Sequence, residues 1–572
     1  MSALDWAVLL GSLAFIVGFG VWRNRHHADL DAYLLAGRNT RWTTVTVAIM
    51  ATQASAITYL STPGQAYADG MRFVQFYFGL PLAMVVLAVT AVPIFHRLRV
   101  FTAYEYLETR FDLKTRTLAT VLFLVQRGLS TGISIYATAI ILSVILGWNI
   151  YWTNLVMGGL VIVYTTSGGA KAVNWTQSYQ FLIAILGVAM AFVVIVRSLP
   201  ADVSFLEAAH VAGKLGHLKT IDVSFDPRSR YNIWSGLIGG FFLALSYFGT
   251  DQSQVGRYIG GRSITESRLG LLANGLLKVP MQFFILLLGA MVFVFYQFVA
   301  PPLFFNPVAL EKARAGPQAA ALSSLEPLHA AAFEERRTRA YQVVHAVRAG
   351  DAARVAEARG ALAAAQKRFL EVRGRVVDVL KRGGAETNDT NYIFLSFVMK
   401  YLPAGLVGLI LSVVFAASMS SNSAAMSALA STTVVDVYLR LVKRAKQPDE
   451  SCVRVGKLAT VFWGVVAILF AEFANRLGTL IEVVNILGSL IYPTILGIFL
   501  LAFYLPKVKA TAAFVGALVG EAAVLVAWLA SDLAFLWYNV LGVAVVVGVA
   551  LLLNPFVGPR VVASGQTVGG DA

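Results

Sequence analysis

The chain is divided into a succession of apolar blocks about 20 residues long, and that length restricts what it can fold into. A helix rises 1.5 Å per residue, so about 20 residues cross the roughly 30 Å hydrocarbon core of a bilayer. Inside lipid every backbone N–H and C=O needs an internal partner, and a helix supplies one within each segment. With 58% of its 572 residues hydrophobic and 13% charged, the chain has more apolar side chain than a soluble core can hide. An all-α, multi-pass membrane protein is expected.

The blocks lie near 4–22, 42–66, 73–96, 117–147, 150–166, 174–196, 232–251, 271–299, 403–436, 455–476, 480–505, 509–531 and 533–554, which gives about 13 spans. Basic residues concentrate in the odd-numbered connections: Arg23, Arg25, Arg38 and Arg41; Arg97, Arg99, Arg110, Lys114 and Arg116; Arg257, Arg262 and Arg268; Arg440, Lys443, Arg444 and Lys446; Lys507 and Lys509. Short loops rich in Lys and Arg stay in the cytoplasm, so the N-terminus is expected outside and the C-terminus inside. The formal charge of +15 is a topology signal of this kind and not a nucleic-acid face. The first block has no basic leader and no small-residue cleavage site, and it ends in Arg23, Arg25, His26 and His27, so a retained span is expected. A single cysteine, Cys452, excludes an internal disulfide and a cysteine-based metal cluster.

One segment departs from the pattern. From 308 to 384 the chain is rich in Ala, Arg and Glu and keeps a helical apolar period on both sides of Ala349, Gly350 and Asp351. It reads as an extramembrane helical hairpin on the outer face, either a structural cap or a docking site for a partner.

The run FAASMSSNSAAMS, 415–427, places five serines inside an apolar span. Residues three and four apart share a helix face, so Ala417, Ser420 and Ser421 present a carbonyl and two hydroxyls to one point. A hard cation such as sodium needs more oxygens than that, and within a membrane free carbonyls occur where a helix is broken. ATQASAITYLSTPG, 51–64, is such a place, and an unwound turn there offers the carbonyls of Ala51 and Ala54. The competing reading is close helix packing, with each serine bonded one turn back. Arg127, Asp251, Gln252, Lys278 and Asn485 are further polar residues within or at the ends of spans. Each marks either a water-filled pathway or a structural pairing.

DAYLLAGR (31–38), SGGAKAVNWTQSYQ (167–180), GTDQSQVGRY (249–258) and AASMSSNS (416–423) occur in this order. With them the chain resembles the sodium:solute symporter family, which includes the sodium-coupled glucose, galactose, proline and sialic acid carriers. The resemblance implies a LeuT-type fold with two inverted five-helix repeats, at 42–197 and 232–505. Residues 1–41 would then form the first helix and a cytoplasmic loop, 198–231 an external loop, 308–384 an insert, and 506–572 two further spans and a tail. It implies a sodium site at Ala51, Ala54, Ala417, Ser420 and Ser421. Aligned to the galactose carriers it puts the solute against Thr58, Tyr77, Asp251, Lys278 and Asn485, with Gln252 beside them. A sugar or polyol is the expected cargo, ahead of a small organic anion or an amino acid. Where some family members have an aspartate for a second sodium, this chain has Gln177, with Ala424 following Ser423, so one sodium per solute is expected.

An enzyme is not expected, because the seven histidines form no HExxH pair or clustered ligand set. A membrane sensor or receptor is the other class, and no signalling domain is expected after LLLNPFVGPR. The expected setting is a bacterial inner membrane, with lipid and a small solute as partners.

Overall fold

The computed structural model describes residues 1–23, 40–98, 100–443, 450–474 and 478–558, without the side chains of 16–23, 167–180 and 450. The DAYLLAGR motif, Arg444, Lys446, Gln177 and the C-terminal tail therefore lie outside the described residues. Among the described residues the chain is helical, with no strand. Eight helices are long and apolar enough to cross a membrane, and four shorter apolar helices accompany them.

The break expected in the second span is present: α1 (Trp42–Gln53) ends, a π-helical turn covers Ile57–Ser61, and α2 (Thr62–Asp69) resumes. One expectation changes. Spans five and six, expected as separate blocks at 150–166 and 174–196, lie within one helical run, Ile150–Arg197. Its apolar stretches are Ile150–Thr166 and Phe181–Arg197.

The helices that build the interior are α3 (Leu113–Leu146), α4 (Gly240–Thr250), α5 (Gln252–Ile259), α6 (Ile264–Phe298), α7 (Leu406–Thr432) and α8 (Leu480–Tyr504). In the run Leu406–Val442, 89% of the apolar window is buried, against 28% for Ser451–Ala471 and 33% for Ala510–Ala530. The α7 helix is thus central, and the latter two present apolar side chains to lipid. The first helix of each expected repeat is interrupted, α1/α2 in one and α4/α5 in the other, as a LeuT-type fold requires. Glycine permits a close crossing: a Cβ on Gly289 of α6 would stand 2.1 Å from the Pro63 carbonyl oxygen of α2.

The insert is a helical hairpin, Ala319–Arg348 and Ala352–Arg382, turning at Gly350 with φ +67°. It is tied firmly to the body. Arg336, buried in the hairpin, donates to the Tyr296 carbonyl at the end of α6 (2.6 Å), and its guanidinium lies 3.8 Å from the Phe369 ring centroid. Arg373 pairs with Asp389 (2.6 Å), Arg359 donates to the Lys214 carbonyl (2.9 Å), and Arg348 pairs with Glu207 (2.5 Å). The Arg348 hydrogen bond holds the Glu207 carboxyl down at about 2.

Two histidines sit in this extramembrane layer. Burial, then the nearby Arg373 and Arg336, push His329 down to about 4, and burial pushes His217, stacked on Phe293 at 3.6 Å, to about 4. Unfolded, both would titrate near 6.5, so the unfolded state binds more protons between pH 6.5 and 4. Stability gained from the neutral rings is complete above about 6.5 and is lost as pH falls through that window. The unfolding free energy should be flat from pH 8 to 7 and then fall, by up to about 1.4 kcal/mol per pH unit for buried His329 and less for half-buried His217, and the melting temperature should fall with it. Exchanging both for Phe should flatten the drop in a thermal-unfolding series; an unchanged slope would assign it to other groups.

Candidate functional site

The α1 helix stops because Gln53 and Ser55 offer the backbone alternative bonds. Ala54 leaves the helical region (φ −87°, ψ 81°), Ser55 Oγ accepts from the Ile57 N–H (3.3 Å), and Thr58 donates its hydroxyl to the Gln53 carbonyl (3.1 Å). Carbonyls at a helix end lack their partner four residues on, and Ala51 and Ala54 stand at that edge. Beside them is a small cavity of about 10 Å³, lined by Ala51, Ala54, Ala417 and Ser420 and closed by Tyr59, Phe181 and Ala184. That is room for one water-sized species. The Ser420 hydroxyl is buried with no hydrogen-bond partner, a cost unless something else fills its lone pairs. Ser421 faces elsewhere: it donates to the Ser418 carbonyl (3.1 Å) and lines a second, larger cavity. Ser418 serves packing, bonded to Thr138 of α3 and accepting from Asn422 (3.2 Å). Both readings of the serine run thus hold, for different serines.

The larger cavity, about 170 Å³, lies between α1, α3, α4, α6, α7 and α8. Four of the six solute positions taken from the sequence line it: Thr58, Tyr77, Lys278 and Asn485. Asp251 and Gln252 do not. Gln252 clamps a connecting loop, donating to the Phe101 carbonyl (2.8 Å) and accepting from the Ala103 N–H (3.0 Å). Asp251 is at the α4/α5 break, where it caps α5 through the Ser253 N–H (2.8 Å) and accepts from the Ser253 (2.6 Å) and Tyr492 (2.5 Å) hydroxyls. The α3 stripe of Gln126, Ser130 and Ser134 also lines the cavity and is absent from the sequence-derived set. Its four-residue spacing within an apolar helix is the signal that finds it.

The wall carries two cations and no carboxylate. Arg127 donates to Ser253, and its Nε lies 3.7 Å from Asp251 Oδ2, beyond hydrogen-bond reach. Lys278, 2% exposed, stands 5.8 Å from the Tyr77 ring centroid. Among the described residues no carboxylate pairs with it.

The model of the sodium:solute symporter family matches residues 33–325 and 369–520, most of the chain. The chain belongs to that family. Sodium is the ion to which such symporters couple solute movement, and the donor set around the small cavity, carbonyls plus an unpartnered hydroxyl, is one that suits it. The internal unmatched stretch, 326–368, surrounds the hairpin turn at Gly350. Among relatives, the sodium/sialic acid symporter of Proteus mirabilis is 26% identical over 97% of this chain and 96% of its own length. The human sodium/iodide cotransporter is 33% identical over 48% of this chain, and human sodium-coupled monocarboxylate transporter 1 is 33% identical over 47%. This chain matches under half the length of those two, 42% and 44%. A solved sodium-coupled sialic acid symporter in a substrate-bound outward-open state superposes with a TM-score of 0.75 over 98% of this chain and 99% of that one, at 24% identity. The shared architecture is the LeuT-type fold.

Proposed function

We propose that this symporter takes up a small organic anion bearing one carboxylate together with sodium, across a bacterial inner membrane, with its N-terminus outside. The carrying observation is the cavity wall, where Lys278 and Arg127 stand without a lining carboxylate. A buried ammonium lacking a counter-ion costs several kcal/mol, and an anionic cargo removes that cost. Arg127 already has Asp251 nearby, so the net charge at the cavity is about one, which matches a monoanion. A neutral sugar or polyol, the cargo favoured by the sequence reading, leaves Lys278 uncompensated. The solutes named for the relatives, sialic acid, iodide and monocarboxylates, are anions at neutral pH. Gln126, Ser130, Ser134 and Asn485 suit hydroxyls on the cargo, and Phe76, Leu80, Leu243 and Val484 suit its carbon chain.

Sodium would be held by the Ala51, Ala54 and Ala417 carbonyls and the Ser420 hydroxyl, with Ser421 one residue away; bound there, it supplies positive charge that fixes the α1 break. That break also carries Ser55 and Thr58 of the solute wall, so ordering one face orders the other. Alternating access then follows from movement around a shared hinge.

The test is thermal stabilisation of the purified protein by glucitol, gluconate and glucarate, and by glycerol, glycerate and tartronate, in sodium and in potassium. Within each trio the carbon chain is the same and the charge runs through zero, one and two. Stabilisation by the singly charged member, and only with sodium, is expected; preference for the neutral member returns the site to a sugar or polyol. Ser420→Ala removes a ligand oxygen and should weaken sodium about tenfold or more, a loss of about 1.4 kcal/mol. Unchanged sodium dependence in that variant would sink the ion site.

A further inference from the structure

We infer that Asp251 is a positioning residue that sets the charge of the accepted solute: it acts as an internal counter-ion to Arg127 and so reduces a doubly cationic cavity to a singly cationic one. The inference rests on the proposed anionic cargo. Asp251 is fully buried, with 0% exposure, and does not line the cavity. It reaches the cavity through two residues that do. Its Oδ2 lies 3.7 Å from Arg127 Nε and accepts the Tyr492 hydroxyl at 2.5 Å.

The pairing is loose in a way that matters. Arg127 Nε is buried and makes no hydrogen bond, while its terminal nitrogen is held by Ser253, whose hydroxyl in turn donates to Asp251 Oδ1 (2.6 Å). The guanidinium lies 5.7 Å from the Tyr247 ring centroid, against another cavity residue. Arg127 is thus close enough to Asp251 for its charge to be offset, yet it keeps an unused donor. Buried charges are poorly screened, so the cargo meets the lining side chains Arg127 and Lys278 together with Asp251, on a background from Arg257, which repels Arg127, and from the bound sodium that is the same in every variant. The wall and Asp251 together sum to plus one. A second carboxylate on the solute would be left uncompensated in a buried site, which is how a site rejects a wrong partner of the same size.

The charge balance can be rewritten one residue at a time. Asp251→Asn keeps an oxygen that can cap α5 but raises the sum to plus two. Arg127→Met lowers it to zero, and the double variant returns it to plus one. Affinities for glucitol, gluconate and glucarate, or for glycerol, glycerate and tartronate, are measured in sodium by displacement or calorimetry, with thermal unfolding to establish that each variant is folded. Asp251→Asn should shift preference toward the doubly charged member by about tenfold or more relative to the unmodified protein. The double variant should bind the singly charged member about tenfold better than Arg127→Met does, although both lack the guanidinium. A merely structural role for Asp251 predicts weaker binding of all three members with their ratios unchanged, and the double variant no better than the single. Either result overturns the inference while leaving monoanion binding by the unmodified protein intact. Preference of the unmodified protein for the neutral member instead removes the reading on which it rests. Should Asp251→Asn fail to fold, the comparison of Arg127→Met with the double variant decides alone.

Discussion

Lys278→Met should abolish solute binding, by about 100-fold or more, and at the same time raise the thermal stability of the solute-free protein. The two effects have one cause. Lys278 is buried at 2% exposure with no carboxylate partner among the described residues, so the unloaded protein carries the cost of a desolvated charge. Methionine has similar length and no charge, so the exchange removes the desolvation penalty of a buried ion, which is on the order of several kcal/mol. With the proposed monoanion bound, the same ammonium would make a charge-assisted contact to the carboxylate, and a bond of that type contributes about 1.5–3 kcal/mol. Its removal also leaves the solute's charge unanswered in a buried cavity, which takes the loss beyond about 100-fold. Unfolding curves with and without gluconate or glycerate in sodium would show the midpoint rise and the solute-induced shift vanish. Lys278→Arg keeps the charge and should retain part of the binding. A methionine variant that holds the singly charged solute within about threefold would remove Lys278 from the site.

How far the sequence carried this site depends on whether a residue's role is local. The break at Ala54 was legible because Gln53 and Ser55 interrupt an apolar run and Pro63-Gly64 follows, all within one segment. The pairing of that break with Ala417 and Ser420 was also legible, since i, i+3 spacing puts the latter on one face. Asp251 was not, because its position behind the wall depends on Tyr492 of α8 and Arg127 of α3, residues far away in the chain. One local clue existed: aspartate followed three residues later by glutamine, Asp251 and Gln254, is a helix-starting pattern, and it points to the cap that the structure contains. Ser421 was grouped with Ser420 by spacing and by the family resemblance, and its bond to the Ser418 carbonyl turns its hydroxyl back toward its own helix. The hairpin's helices were legible from their period, but its fixed seat on α6 through Arg336 was not, because a buried arginine in an Ala- and Arg-rich helix is indistinguishable by pattern from an exposed one.

Uptake should be electrically silent. The family resemblance puts Gln177 where some members have an aspartate for a second sodium, and an amide would bring an oxygen but no charge. The Ser423 hydroxyl is buried and unpartnered, but Ala424 follows it, so the second site lacks both its carboxylate and a neighbouring hydroxyl. One sodium moving with one monoanion carries no net charge, and the membrane potential then gives no leverage. A tenfold sodium gradient, worth about 1.4 kcal/mol, limits accumulation to about tenfold. A neutral solute with one sodium would also draw on the potential, about 2.3 kcal/mol at 100 mV, and the limit would rise to about 500-fold. Two sodium ions with a monoanion would reach about 5,000-fold by the same arithmetic. The three cases differ by about an order of magnitude or more, so proteoliposomes holding a set potassium diffusion potential and sodium gradient separate them. Accumulation that stays the same when the potential is switched from zero to about 100 mV, inside negative, is the expected result. A rise of about 50-fold would mean that one positive charge moves per cycle, either because the cargo is neutral or because Gln177 holds a second sodium after all; counting sodium taken up per solute distinguishes these.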